Sequence, residues 1–324
     1  MTWVYNLSKQ LHNDLLMIPV IYHPIYSELS LPPKHRYPIT KYRRLYENVV
    51  QTLEHDAQWR EGLFFVEPTA LSTEQVLEVH DEEYFQLLFS GEMPAAKMRR
   101  IGFPWSEQLI TRTLTSAGGT VETAKQAIEH GIALHLSGGY HHAHKDFGSG
   151  FCLINDLVLA AHDALKNESI DKVLIVDADV HHGDGTATLC EGREDIITLS
   201  FHCDKNFPAR KPTSDMDVPL AREIGDEEFL SSFKQVVEMA INIHQPDLII
   251  YDAGVDIHTD DELGYLQVSA EGIYQRDHFI FLTAKNAGIP IASVVGGGYR
   301  TEHQDLVPIH RLLIQAAINV FKDD

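Results

Sequence analysis

The sequence predicts an α/β protein in which strands alternate with helices around a mostly parallel sheet. Short apolar runs punctuated by Gly, Asp and His recur between longer segments whose apolar residues fall three and four apart. These are the periods of buried strand and amphipathic helix. The composition, 44% hydrophobic and 23% charged over 324 residues, is that of a folded chain able to build one large core. No internal repeat, low-complexity tract or Ser/Gly linker divides it, so residues 1–324 read as a single domain with 1–17 as a lead-in.

The elements follow in chain order. The apolar run Leu15 to Tyr22, broken by Pro19, gives a first strand at Pro19 to Tyr22; it is too short to span a membrane and no small-residue cleavage site follows it. Leu31 to Glu47 carries Pro32-Pro33 and the basic set Lys34, His35, Arg36, Lys41, Arg43 and Arg44. It reads as a loop entering a helix, with its cations on a solvated face. Helix Ser116 to Gly131 leads into strand Ile132 to Leu136, and helix Asn155 to Leu165 into strand Lys172 to Val176. Strand Ile196 to Phe201 comes next, then helix Asp226 to His244 before strand Leu248 to Tyr251. Helix Glu271 to Ala287 precedes strand Ile291 to Val295.

Charge and cysteine content narrow the function classes. Lys+Arg 26 against Asp+Glu 47 gives −21, which disfavours nucleic-acid binding and suits either plain solubility or a cationic substrate. Cys152, Cys190 and Cys203 are too few for a disulfide framework or a four-thiolate zinc site, so a reducing, cytoplasmic setting is expected, with no membrane partner.

Four strands are each followed by a chemically loaded cluster: Ser137 to His142, Asp177 to Gly185, Asp252 to Asp256 and Gly296 to Tyr299. Ligands bind at the carboxyl ends of strands in open α/β sheets, so these clusters are expected to meet in one crevice. With side chains alternating along an extended chain, Asp177, Asp179 and His181 face one side. Asp179, His181 and Asp256 then form a candidate divalent-metal site with an open position; zinc suits the donors, and iron(II), cobalt or manganese would also bind. Single aspartates beside glycine often do no more than cap turns, but so many in this pattern favour the metal. Asp177 and Asp184 remain as one carboxylate for each of His141 and His142, the arrangement that orients a histidine base. Four acids around one divalent ion leave the site short of positive charge. A protonated histidine would supply one unit, and a monovalent cation such as potassium, near Asp177, Asp179 and His181 and the next strand at Ser200 and Phe201, another. Tyr299 follows three glycines and is placed to donate to a developing oxyanion, unless it is an ordinary core or rim tyrosine. His144, His162, His202 and His258 read as structural.

These residues resemble the zinc-dependent histone deacetylase superfamily. The resemblance runs from about Ile18 to the C-terminus and is carried by GGYHHAHKDFGSGFCLIND (Gly138 to Asp156), VDADVHHGDGT (Val176 to Thr186), DAGVD (Asp252 to Asp256) and GGGY (Gly296 to Tyr299). YHPIYS, HRYPITKYRRLYE, FPWS and KNFPARKPTSDMDVPL resemble the class IV group and its bacterial relatives. The resemblance implies a three-layer α/β/α arginase–deacetylase fold with a single mostly parallel central sheet. It implies Asp179, His181 and Asp256 as zinc ligands, His141 and His142 as the catalytic pair with Asp177 and Asp184 behind them, and Tyr299 polarising the acyl carbonyl. Gly150, Phe151 and Phe207 would line a narrow tube for an acylated lysine, although the loop bearing Phe207 departs from the pattern of the best-known members.

The expected activity is removal of an acetyl or longer acyl group from lysine in a protein or peptide. Acetylpolyamines or a small acetylated amine are the rival substrates, a two-metal ureohydrolase on the same fold is a poorer match, and an inactive deacetylase-like binding module is the non-enzymatic alternative. An acidic rim would favour lysine or polyamine carriers.

Overall fold

A computed structural model describes residues 17–322. The lead-in 1–17, apart from Met17, and the last two positions of the expected 1–324 domain lie outside those residues. The sheet has eight strands: β1 (Ile18–Ile21), β2 (Leu63–Val66), β3 (Ile132–His135), β4 (Val173–Asp177), β5 (Ile196–Cys203), β6 (Met216–Leu220), β7 (Leu248–Asp252) and β8 (Ile291–Val294). Their order is β2-β1-β3-β8-β7-β4-β5-β6, and every neighbouring pair is parallel.

Alternation along the strands separates two cores. Val20, Leu134, Leu174 and Val176 face one side, where Tyr42, Phe233, Ile280 and Leu313 cover the sheet from four helices. Ala133, Val173 and Ile175 face the other, against Ala124 of helix Glu107–His130 and Leu157 and Ala161 of helix Asp156–Ala164. Because both faces are buried, the central strands are continuous apolar runs rather than alternating ones. The result is a three-layer α/β/α sandwich.

The expected strands and helices form, with shifted ends. The helix expected from Ser116 starts nine residues earlier, at Glu107, where the Ser106 side chain accepts from the Leu109 N–H. Two strands have no counterpart in the sequence reading. β2 is four residues long, and β6 contains Pro219, which the ladder accommodates at the edge of the sheet. β4 and β7 each run one residue further than expected, which makes Asp177 and Asp252 their last residues and direct partners in register.

The clusters singled out in the sequence follow β3, β4, β7 and β8. These four strands are contiguous in the sheet although scattered in sequence, so all four clusters open into one crevice at the carboxyl edge.

Candidate active site

The paired histidines are presented by a backbone reversal. Gly138 and Gly139 have φ of 90° and 85°, a region that glycine enters without strain, and they turn the chain sharply at the end of β3. The loop is pinned by Asp156, whose carboxylate accepts from the Gly139 N–H (3.1 Å), the Tyr140 N–H (2.7 Å) and the Thr120 hydroxyl (2.5 Å). His141 Nδ1 then meets Asp177 Oδ2 at 2.7 Å, and His142 Nδ1 meets Asp184 Oδ1 at 2.6 Å. With both Nδ1 atoms held on carboxylates, the two Nε2 atoms converge at 3.1 Å.

The two rings differ in charge. Burial pushes both pKa values down, but for His141 the Asp177 and Asp179 carboxylates outweigh burial and hold it well above the ordinary value. His142 is lowered to about 3 by burial and by the charge on His141, against the pull of Asp184. A charged His141 therefore lies beside a neutral His142, whose Nδ1 proton is held on Asp184 and whose Nε2 carries the lone pair.

Beside this pair lie the three candidate metal ligands. His181 Nδ1 is 2.9 Å from Asp179 Oδ1 and 3.2 Å from Asp256 Oδ2. Donors about 2.0–2.2 Å from a tetrahedral zinc sit roughly 3.3 Å apart, so these separations fit one small cation. Asp256 Oδ2 is buried and accepts no hydrogen bond, while its Oδ1 is occupied by the Val180 N–H at 2.8 Å. Burial raises Asp256 to about 6, with Asp179 adding to it, whereas burial of His181 is overcome by the two carboxylates, which raise it to about 10. The three donors form a candidate cation site.

Tyr299 stands across the site, its ring centroid 6.2 Å from that of His181 and 6.0 Å from that of Phe151. Its backbone N–H donates to Asp261 Oδ2 at 2.6 Å, and Asp261 Oδ1 accepts from Leu263 and Gly264 N–H groups, both at 2.9 Å. Asp261, which the sequence offered no way to place, thus fixes the turn behind the tyrosine. The expected tube residues also assemble. Phe207 packs edge-on to His142 at 4.8 Å, and Gly150 lies between them, since a Cβ there would come within 2.5 Å of His142 and 3.2 Å of Phe207. Phe151 packs against His35, Tyr37 and Phe103.

Of the residues expected around a monovalent cation, Asp177 is paired with Ser200 across β4 and β5. Asp177 Oδ1 is taken by the Asp179 N–H at 3.1 Å, and the Ser200 hydroxyl lies 3.1 Å from His202 Nδ1.

The residues matched by the sequence profile of the Histone deacetylase domain, 37–308, contain all of these side chains except His35. The chain belongs to the histone deacetylase family. It is 38% identical over 314 residues to an uncharacterized protein of Picosynechococcus, covering 94% of this chain and 99% of that one. It is also 30% identical over 310 residues to histone deacetylase 2 of Arabidopsis thaliana, covering 90% and 78%. A probable deacetylase of Archaeoglobus fulgidus is 27% identical over 319 residues, covering 93% and 86%. The protein is accordingly a hydrolase of the deacetylase type.

Several features of this deacetylase site were not legible in its sequence. Lys41, expected on a solvated face, is only 3% exposed; its Nζ donates to the Gly296 carbonyl at 2.9 Å and lies 5.9 Å from the Tyr299 ring. Burial lowers its pKa to about 8 against the pull of Asp256 and Asp179, so the charge deficit at the site is partly met by the protein itself. Asp252, read only as part of DAGVD, is fully buried with neither oxygen hydrogen-bonded; burial and the adjacent Asp177 hold its pKa well above the usual carboxylate range. His144, read as structural, donates through Nε2 to Asp184 Oδ2 at 3.1 Å and so shares that carboxylate with His142. A cavity of about 780 Å³ beside Tyr299 is lined by Lys34, Arg36, Arg300 and Glu262, with Arg300 also 3.3 Å from Asp260 Oδ2. Among the described residues no helix is long and apolar enough to cross a membrane.

Proposed function

We propose that this deacetylase is a zinc-dependent deacylase that hydrolyses acylated lysine in a protein or peptide. The observation that carries the reading is the convergence of the two histidine Nε2 atoms beside the Asp179–His181–Asp256 donors, closed on the far side by Tyr299. Asp179, His181 and Asp256 would hold the zinc, whose chemistry is Lewis-acid polarisation of the acyl carbonyl and acidification of a water. His142 Nε2, neutral and held in its tautomer by Asp184, takes the proton of the attacking water. The Tyr299 phenol, its ionisation suppressed by burial and by Asp179 and Asp256, donates a hydrogen bond to the developing oxyanion. The charged His141, anchored on Asp177, keeps its own proton beside His142 during the attack, and the pair then returns one proton to the departing amine. The acyl-lysine chain enters past Gly150, Phe151 and Phe207.

Acetylpolyamines are the rival carriers that the assay below compares. The intact histidine pair, metal donors and tyrosine argue against an inactive binding module. Turnover on lysine peptides with acyl chains of increasing length, alongside acetylpolyamines, tests the reading when repeated with Tyr299→Phe. Lysine peptides should be the preferred carriers, and the variant should lose on the order of 10²–10³ in kcat. Full activity of Tyr299→Phe would remove the oxyanion role, and preference for polyamines would replace the substrate class.

A further inference from the structure

We propose that His182, His202 and Asp217 form a second divalent-cation site of zinc type at the sheet edge, separate from the Asp179–His181–Asp256 donors. The site is built by three neighbouring elements. His182 follows β4, His202 lies on β5 and Asp217 on β6, and these strands are adjacent in the sheet. Ser200 and His202 project from the same face of β5 because side chains alternate, and the ladder sets Asp217 directly beside Ser200. One ring nitrogen of each histidine and one oxygen of Asp217 fall within 4.8 Å of one another.

Local geometry favours an ion over a chance encounter. His182 Nε2 lies 3.1 Å from Asp217 Oδ1, close to the roughly 3.3 Å between two donors on a tetrahedral zinc, and the two imidazole rings meet edge to face with centroids 4.5 Å apart. Two of the three ligands, Asp217 and His202, have the supporting contacts that orient metal ligands. Asp217 Oδ2 accepts from the Ser214 N–H at 3.0 Å, which turns Oδ1 toward the histidines, and the Ser200 hydroxyl holds the His202 ring through Nδ1. His182 and His202 are 0% and 3% exposed, and His182 Nδ1 is buried without a hydrogen-bond partner. Two imidazoles and a carboxylate are a zinc donor set. Asp217 reaches solvent, so water completes the coordination.

An ion here would bind the end of β4 to β5 and β6 at the root of the loop between them. That loop carries Phe207, whose carbonyl accepts from the His182 N–H at 3.4 Å and whose ring covers His142. The site therefore fixes the wall of the acyl-lysine entrance. This consequence rests on the deacylase reading above; the cation site itself does not.

Equilibrium dialysis of the whole protein against zinc, with elemental analysis, distinguishes the two sites. Wild type should bind two zinc ions per chain, Asp217→Asn one and Asp256→Asn one. Asp217 is exposed, so its near-isosteric variant should fold, and His202→Asn gives the same readout if it does not. Wild type should also gain thermal stability from zinc beyond the gain seen in Asp217→Asn. Zinc content in Asp217→Asn and His202→Asn equal to that of wild type would overturn the proposal. So would loss of both ions in Asp256→Asn, which would mark a bimetallic centre. Retention of both ions in Asp256→Asn with loss of one in Asp217→Asn would leave the edge site standing and remove the metal role of Asp256.

Discussion

Gly297 sets the distance between the candidate metal ligands, and adding one methyl group there tests the site with little other disturbance. A Cβ at this position would lie 2.2 Å from Asp179 Oδ2 and 2.3 Å from Asp256 Oδ2, where ordinary contact begins near 3.4 Å. Both carboxylates must therefore retreat by about 1 Å, or the strand-end turn must open by as much. The backbone of Gly297 is not in the left-handed region, so alanine carries no φ penalty. The Gly297 N–H that donates to Asp179 Oδ2 at 3.1 Å is kept. Displacements of about 1 Å at reacting groups cost roughly 10² in rate, and a distorted ligand set should lose metal affinity by a comparable factor. Zinc affinity by competition with a chromophoric chelator, and kcat/KM on an acetyl-lysine peptide, should both fall about 10²-fold in Gly297→Ala. Gly62→Ala is the control, since its methyl would make only ordinary contacts, with the flexible Lys322 side chain at 3.5 Å and Ile318 Cγ1 at 4.0 Å. If Gly297→Ala binds zinc and turns over like wild type, Asp179 and Asp256 do not share a metal.

His142→Ala should lower kcat by about 10²–10⁴ while far-UV circular dichroism and zinc content stay at wild-type values, and a loss under tenfold would exclude His142 as the base. Asp261→Asn can satisfy only one of the two oxygens now used, presenting an amide to the Tyr299 or the Leu263 and Gly264 N–H groups. It should reduce kcat about tenfold with unchanged zinc content; a loss of zinc instead would place its effect at the ligands. Stability should fall in acid because of His80. Burial lowers its pKa from 6.5 to about 4, and its Nε2 accepts from the Asn155 N–H at 2.9 Å, so the folded state keeps it neutral while the unfolded chain takes up a proton. The contribution is present above about pH 6.5 and is lost as pH falls toward 4. By linkage it amounts to on the order of 3 kcal/mol, readable from urea midpoints between pH 7 and 4.5. A flat profile over that range would contradict it.

The particular residues explain what could be read from the chain. His141, His142, Asp177, Asp179, His181, Asp184, Asp256 and Tyr299 were legible because each lies within a few residues of a strand end, where alternation and turn chemistry predict direction. The alternation of apolar runs and amphipathic segments likewise gave the central strands. Lys41 was not legible, since it belongs to a basic segment whose cations Lys34, Arg36, Arg43 and Arg44 are exposed, and only the approach of helix Lys41–His55 to the turn at Gly296 buries it. Asp252 and Asp261 depend on which strands become neighbours, and β6 on the edge position that tolerates Pro219. The grouping of Lys34, Arg36 and Arg300 from distant loops around the cavity beside Tyr299 is likewise concealed by a net charge of −21.

Metal dependence tests the central claim most directly. Protein stripped with a chelator should lose turnover on acetyl-lysine peptide and regain it with zinc, in wild type but not in Asp256→Asn. Turnover that persists in the stripped protein, or in Asp256→Asn without metal, would contradict the account.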